Sequence, residues 1–248
     1  LFRSGLVSEF LVEEELGFNT SYYWQIVPYN EYGDASGCPV WEFTTMEDPT
    51  IDALPWLENF DDTEQGTGFD CPLGWSMENT NDDYITWDII TNAASSEVVH
   101  SEPNAMHVVF SFYDMNDWLF TPPVELETGN TYQLSFWYRT VGDMIVPEPV
   151  EKMEIWLGTA NHSDSMNVAQ IYDNQNITNY ESWEQAEVTF SLNESGTYNL
   201  GFHGYSDANQ GLLIIDDVSL EIFVNDENDI LSFELDQQTG PEIGRAHV

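Results

Sequence analysis

Positive charge is almost missing from this 248-residue chain: Arg3, Arg139, Lys152 and Arg245 stand against 45 acidic residues, for a net charge of −41. Such a chain repels phosphate backbones and anionic bilayers over its whole surface, so neither nucleic acid nor membrane insertion is expected. The acidity itself fits divalent-cation sites, a saline habitat or a soluble extracellular surface alike. Cysteine is equally scarce. Cys38 and Cys71 are the only two, with no CxxC and no Cys/His cluster at zinc spacing, which excludes a disulfide framework and a thiolate metal site. One bridge or two free thiols both fit the sequence.

Long apolar runs are lacking too, since none approaches the ~20 residues needed to span a bilayer. Catalytic signatures are absent: there is no G-x-S-x-G elbow, no H-E-x-x-H helix and no cysteine beside a plausible histidine partner. The histidines are His100, His107, His162, His203 and His247. A glycosidase pair of carboxylates about 5 to 9 Å apart could be drawn from so many acids, but nothing in their pattern singles one out. No catalytic residue is assigned, and a non-enzyme is expected.

What is present is apolar and aromatic: 42% of residues are hydrophobic and 14% aromatic, well above the composition of disordered acidic chains. Short alternating runs bounded by Gly, Asn, Asp and Pro fill the chain, and no stretch holds a helical period for three turns, so the fold class is all-β. In Tyr22–Asn30 the residues Tyr22, Trp24 and Ile26 share one face at period two. The turn at Asn30–Asp34 returns the chain to a second strand, Val40–Thr45, expected to pair with the first and to bury Trp41 or Phe43. Residues 47–53 form an acidic, proline-containing linker. A longer β-rich region runs from Leu54 to Phe223, followed by a polar linker at 224–229.

Two resemblances follow from these residues. Leu16-x-x-x-Thr20-x-Tyr22, then Asn30-x-x-Gly33, then Phe43-Thr44-Thr45, resemble the closing half of a fibronectin type III domain, covering residues 1–46. Phe233-Glu234-Leu235 and Gln238–Pro241 resemble the opening of a bacterial immunoglobulin-like module over residues 230–242. The first residues read as mid-domain sequence, so any export signal is expected outside the chain. Ile243–Val248 matches what one reading frame of a common sequencing-adapter oligonucleotide encodes, and these six residues are expected not to belong to the natural protein.

Between them, Glu58-Asn59-Phe60-Asp61, Pro72-Leu73-Gly74-Trp75, Asn116–Pro123, Tyr132–Arg139 and Leu213–Val218 resemble, in that order, the landmarks of the cleaved-adhesin and choice-of-anchor family. The resemblance implies a jelly-roll β-sandwich over residues 54–223, related in shape to MAM domains and carbohydrate-binding modules. It implies a secreted or cell-surface adhesion module of a multi-domain bacterial protein, with an extracellular glycan or protein as partner. A structural spacer, or an accessory domain of a secreted peptidase or glycoside hydrolase, are the rival expectations.

In that family a calcium ion ties the first Phe-acid pair to the terminal Ile-Asp-Asp-Val strand, which makes Asp61 and Asp216 the expected ligands and Asp117 a further one. This chain has Asp61 where glutamate is more usual, one methylene shorter in reach. For ligand binding, alternation turns Trp137 and Arg139 away from the apolar set Leu134, Phe136 and Tyr138. The same logic on the next strand buries Met153, Ile155 and Leu157 and turns Trp156 to the face that Trp137 is expected to share. Trp137, Trp156 and Arg139 would form either a ligand platform or a structural cluster covered by a loop.

Overall fold

The computed structural model describes residues 16–63, 70–92, 98–142 and 146–224. The strands of the opening segment are β1 (Ser21–Gln25), β2 (Tyr29–Asn30), β3 (Gly33–Asp34) and β4 (Val40–Thr44). β1 pairs antiparallel with β4, setting Tyr22 opposite Phe43 and Trp24 opposite Trp41, with ring centroids 5.7 and 4.5 Å apart. The Gly17 N–H donates to Tyr22 Oη at 2.8 Å, the upstream backbone bond of a tyrosine corner. The pairing is the expected one, but the burial is not. Trp41 and Phe43 stay 39% and 44% exposed, because a lone two-stranded ladder has no second sheet among the described residues to cover its apolar face.

The sandwich follows: β5 (Trp56–Glu58), β6 (Ser76–Asn79), β7 (Asp88–Thr91), β8 (Asn104–Val108), β9 (Asp117–Phe120), β10 (Val124–Leu126), β11 (Thr131–Val141) and β12 (Glu151–Gly158). It is completed by β13 (Ala169–Ile177), β14 (Glu184–Ser191), β15 (Gly196–Gly204) and β16 (Leu212–Ile222). One sheet runs β13-β12-β15-β9-β6, with β10 also on β15, and the other runs β14-β11-β16-β8-β7, with β5 also on β16. From β11 to β16 the chain crosses between the sheets at every step but one, the β12–β13 hairpin staying within one sheet, as suits the double-sheet jelly roll. All-β architecture and jelly-roll sandwich are therefore as expected.

Alternation fills the space between the sheets. Leu134 and Phe136 of β11 meet Met153, Ile155 and Leu157 of β12 and Leu200 and Phe202 of β15 in one core. The landmark residues Phe60 and Trp75 lie in the same core, edge to face at 5.4 Å. Gly74, at φ +80, lets the chain turn where a Cβ would fall 2.3 Å from Pro49, which explains glycine before that tryptophan.

Residues ahead of Leu54 also touch the sandwich. Ile51 is buried, and its N–H donates to Pro123 O at 2.8 Å while its own carbonyl accepts from Glu125. At the other end, Phe223 N–H donates to Thr131 O at 2.8 Å. Residues 1–15 of the fibronectin-like half, the immunoglobulin-like opening at 230–242 and the adapter-like tail at 243–248 lie outside the described residues. Cys38 and Cys71 are both free thiols. Among the described residues no helix is long and apolar enough to cross a membrane.

Candidate functional site: two outward faces

The structure does not bring Trp137 and Trp156 together. β11 and β12 belong to different sheets, so side chains that each point away from the core point to opposite sides of the sandwich. The hairpin-like neighbourhood expected from the sequence fails because the β11–β12 connection crosses from one sheet to the other.

On its own face Trp137 is already partly covered. The His100 imidazole stacks on it at 4.0 Å and 13°, and Trp183 meets the same imidazole edge-on at 5.6 Å. His100 is held by Asp217, with Nδ1 2.6 Å from Oδ2. Arg139 is only 6% exposed; its guanidinium donates to Tyr180 O and lies 5.9 Å from the Trp183 ring. The segments around His100 and Tyr180–Trp183 thus lie over part of this face and leave Trp137 half-buried, closer to the covered cluster than to an open platform.

The other face is built differently. In β12 the residues Lys152, Glu154 and Trp156 alternate with the core set, and Glu154 stands opposite His203 of β15. His203 stands opposite Trp118 of β9, and Trp118 opposite Glu78 of β6. The result is a transverse row across four strands: carboxylate, imidazole, indole, carboxylate. His203 stacks on Trp118 at 4.1 Å with planes 5° apart and continues to Tyr205 at 5.6 Å. Trp156 flanks the row, packed with Trp118, Phe120 and Met166. Its cross-strand partner is Gly201, where a Cβ would lie 2.8 Å from Met166 Sδ and 3.1 Å from Trp118. Glycine there makes the notch that lets the aromatic rings sit low on the sheet.

Polar groups line the row. His203 Nδ1 is 2.8 Å from Glu154 Oε1 and Nε2 is 2.8 Å from Asn116 Oδ1. Burial lowers the His203 pKa and outweighs the opposing pull of Glu154, so the ring is neutral at pH 7. A neutral ring donates from Nδ1 to the carboxylate, with the Asn116 amide turned so that its NH₂ serves Nε2. Gln170 donates to Glu154 Oε2 at 2.6 Å, and the Tyr205 hydroxyl donates to Asp173 Oδ1. Burial, and then the bond to Asp173, raise the Tyr205 phenol well above its ordinary range. A groove of about 360 Å³ lined by residues that include Asp52, Leu54, Glu125, Tyr132 and Ile222 shares none of its lining with this row. Sequence reasoning found Trp156 and missed its neighbours, although the alternation of His203 with Phe202 and Gly204 in β15, and of Tyr205 just beyond it, was there to read.

The acids expected to hold a metal are spread over two places. Asp61 lies beside Asp217, whose charge, after burial, helps to raise the Asp61 pKa. Asp216 is fully buried, and its oxygens accept the backbone N–H groups of His100, Ser101 and Asp217 at 2.8, 3.0 and 2.8 Å. Burial pushes its pKa up to about 7 despite those bonds. The first and last strands do meet, β5 pairing with β16, and Asn104 of β8 fixes the turn after β5 by donating from its NH₂ to the carbonyls of Phe60, Asp61 and Thr63. Asp117 sits on the opposite sheet from Asp216 and faces other groups, Asp83 and Thr86.

No family model matches the sequence, and no curated protein matches it. Solved structures do. The K1 cleaved adhesin domain of Lys-gingipain from Porphyromonas gingivalis superposes with a TM-score of 0.53 at 17% identity, over 69% of this chain and 100% of that domain. The K2 cleaved adhesin domain of Lys-gingipain gives 0.54 at 15% identity, over 68% of this chain and 99% of that domain. At such identities the likeness is one of fold: the sandwich has the jelly-roll fold of cleaved adhesin domains.

Proposed function

We propose that the sandwich is an extracellular, non-catalytic ligand-binding module that holds a glycan or an extracellular protein on the face of β12, β15 and β9. The observation that carries this reading is the row Glu154–His203–Trp118–Glu78, with Tyr205 and Trp156 at its margins. The half-buried rings of Tyr205 and Trp156, held flat by the largely buried Trp118–His203 stack between them, offer apolar surface for the faces of sugar rings. Carboxylate and amide groups stand beside them for the hydroxyls, the pairing that ligand sites use for affinity and orientation. The rings are held by a rigid ladder and by their own stacking, so little ordering is required on binding. The fold is that of domains named adhesins, which supports the same reading.

The experiment is a glycan array and a panel of extracellular matrix proteins probed with the whole chain. Tyr205→Ala and Trp156→Ala are expected to weaken the ligand found by at least tenfold, and Trp137→Ala to leave it unchanged. Undiminished binding in both variants removes the face from consideration, and a chain that binds nothing in either panel is better read as a spacer.

A structural calcium belongs to the same reading. Asp61 and Asp217, near enough for the charge of one to raise the pKa of the other, offer carboxylate oxygens suited to a hard cation. Asp61 and Asp217 would hold it. Asp216, with its oxygens committed to amides, would position the loop rather than ligate.

A further inference from the structure

A second oxygen cluster closes the far end of the β6–β9 pair. Asp117 is 1% exposed, and its Oδ1 has no hydrogen-bond partner. Asp83 Oδ2 and Thr86 Oγ1 are likewise buried without a partner. Asp83 and Thr86 are the groups that act on this carboxylate: the charge of Asp83 raises the Asp117 pKa, and the Thr86 hydroxyl, short of a full hydrogen bond, lowers it. The far oxygen of Asp117 accepts from Asn116 N–H at 3.3 Å, so the carboxylate is held with its free oxygen turned toward Asp83 and Thr86.

The loop that carries Asp83 is shaped around the same point. Asn79 donates to Asp83 Oδ1 at 3.3 Å and to Ile85 O at 2.8 Å. Asn81 Oδ1 accepts from Asp83 N–H, and Asp83 Oδ1 accepts from Ile85 N–H. Side chains at Asn79, Asn81 and Asp83, then a carbonyl at Ile85, fall at the first, third, fifth and seventh places of a loop. EF-hand loops supply calcium oxygens at that spacing, with glycine at the sixth place for a sharp turn. Here the sixth place is Tyr84, at φ +67, a left-handed conformation a tyrosine adopts only under constraint.

We propose that Asp83, Asp117 and Thr86, with the Ile85 carbonyl, form a calcium site that pins the Asn79–Trp87 loop to β9, Asn79 shaping the loop through its own amide without ligating. Two carboxylates facing each other out of water are unfavourable unless they share a proton or a cation. A divalent ion with hydroxyl and carbonyl oxygens beside the two carboxylates satisfies the unpartnered atoms together. The site is separate from the Asp61–Asp217 pair and stands or falls independently of it, and of any ligand on the Trp118 face.

The test is calcium stoichiometry by equilibrium dialysis on the whole chain, with terbium luminescence excited through tryptophan as the local readout. Trp87, whose indole N–H donates to Asp117 O at 3.1 Å, is the antenna. Magnesium at equal ionic strength controls for screening by so acidic a chain. The expected result is one calcium fewer per chain in both Asp117→Asn and Asp83→Asn, with the terbium signal lost. Trp87→Phe is expected to keep the calcium and dim the terbium. Asp61→Asn is expected to leave this terbium signal intact. If Asp117→Asn fails to fold, Asp83→Asn, in the loop, decides. Unchanged calcium stoichiometry in Asp83→Asn, or a terbium signal that survives it, overturns the proposal and leaves the acids sharing a proton.

Discussion

Trp118 and His203 face each other across the β9–β15 ladder with ring centroids 4.1 Å apart and planes 5° from parallel. The pair sits on the outside of its sheet, where an indole buried to 8% exposure is unusual unless something lies over it. Here that cover is the imidazole and Met166. The stack holds His203 upright between Glu154 and Asn116 and keeps the face flat.

Replacing His203 by Ala removes the stack and strands the Glu154 carboxylate beside an uncovered indole. The expected cost is about 1–3 kcal/mol, read as a lower denaturation midpoint in urea, together with weaker ligand binding. Gln, which keeps a donor for Glu154, is expected to recover part of the stability and little of the binding.

Asp216 and Asp217 are expected to separate by function. Asp216→Asn sets an NH₂ against backbone donors and costs about 1–3 kcal/mol in calcium and in chelator alike. Asp217→Asn, which also loosens the hold on His100 and Ser101, loses the calcium-specific rise in Tm on top of a cost that is the same in chelator. Bound to the folded form alone, calcium at a hundredfold excess over Kd adds about 2.7 kcal/mol. A calcium increment that persists in both Asp217→Asn and Asp61→Asn would move the ion elsewhere.

Asp117 sets a pH dependence with a definite sign. Burial raises its pKa from 3.8 to about 7, so the folded chain binds a proton that the unfolded chain has released. Its contribution is whole below pH ~4 and is lost as pH rises to about 7, with a ceiling of roughly 4 kcal/mol at ~1.4 kcal/mol per pH unit. In chelator, wild type minus Asp117→Asn should fall across that window and level off above it. His107 and His203, both lowered chiefly by burial, act with the opposite sign below pH ~6.5 and cancel in the difference. A flat difference curve would mean that Asp117 is ionised in the folded chain throughout.

Gly201→Ala tests the packing beneath the aromatic face. A Cβ there meets Met166 Sδ at 2.8 Å and Trp118 at 3.1 Å, and the expected loss is about 1–3 kcal/mol. Gly129→Ala does not serve as a control, because its φ of +90 is strained for any side chain. Ser191→Ala on the exposed surface does, and should leave stability within about 0.5 kcal/mol.

Much of this protein was legible in the sequence, because strand alternation is a local property. The set Leu134, Phe136 and Tyr138 against Gln133, Ser135 and Trp137 says which face of β11 is buried before any partner is known. The order of landmarks from Phe60 to Asp216 likewise pointed to a jelly roll, and the tyrosine corner at Tyr22 closed as its spacing implied. Which strands lie side by side was decided only by the tertiary structure. Alternation says that Trp137 and Trp156 both point outward, but not that β11 and β12 sit in different sheets. The row from Glu154 through His203 and Trp118 to Glu78 draws on four strands whose order in space differs from their order in the chain. Likewise Asp117 meets Asp83 rather than Asp216 because pairing with β6 brings the loop after Asn79 over its carboxylate. Pairing over such separations is set by how the whole core packs, and no local pattern of residues encodes it.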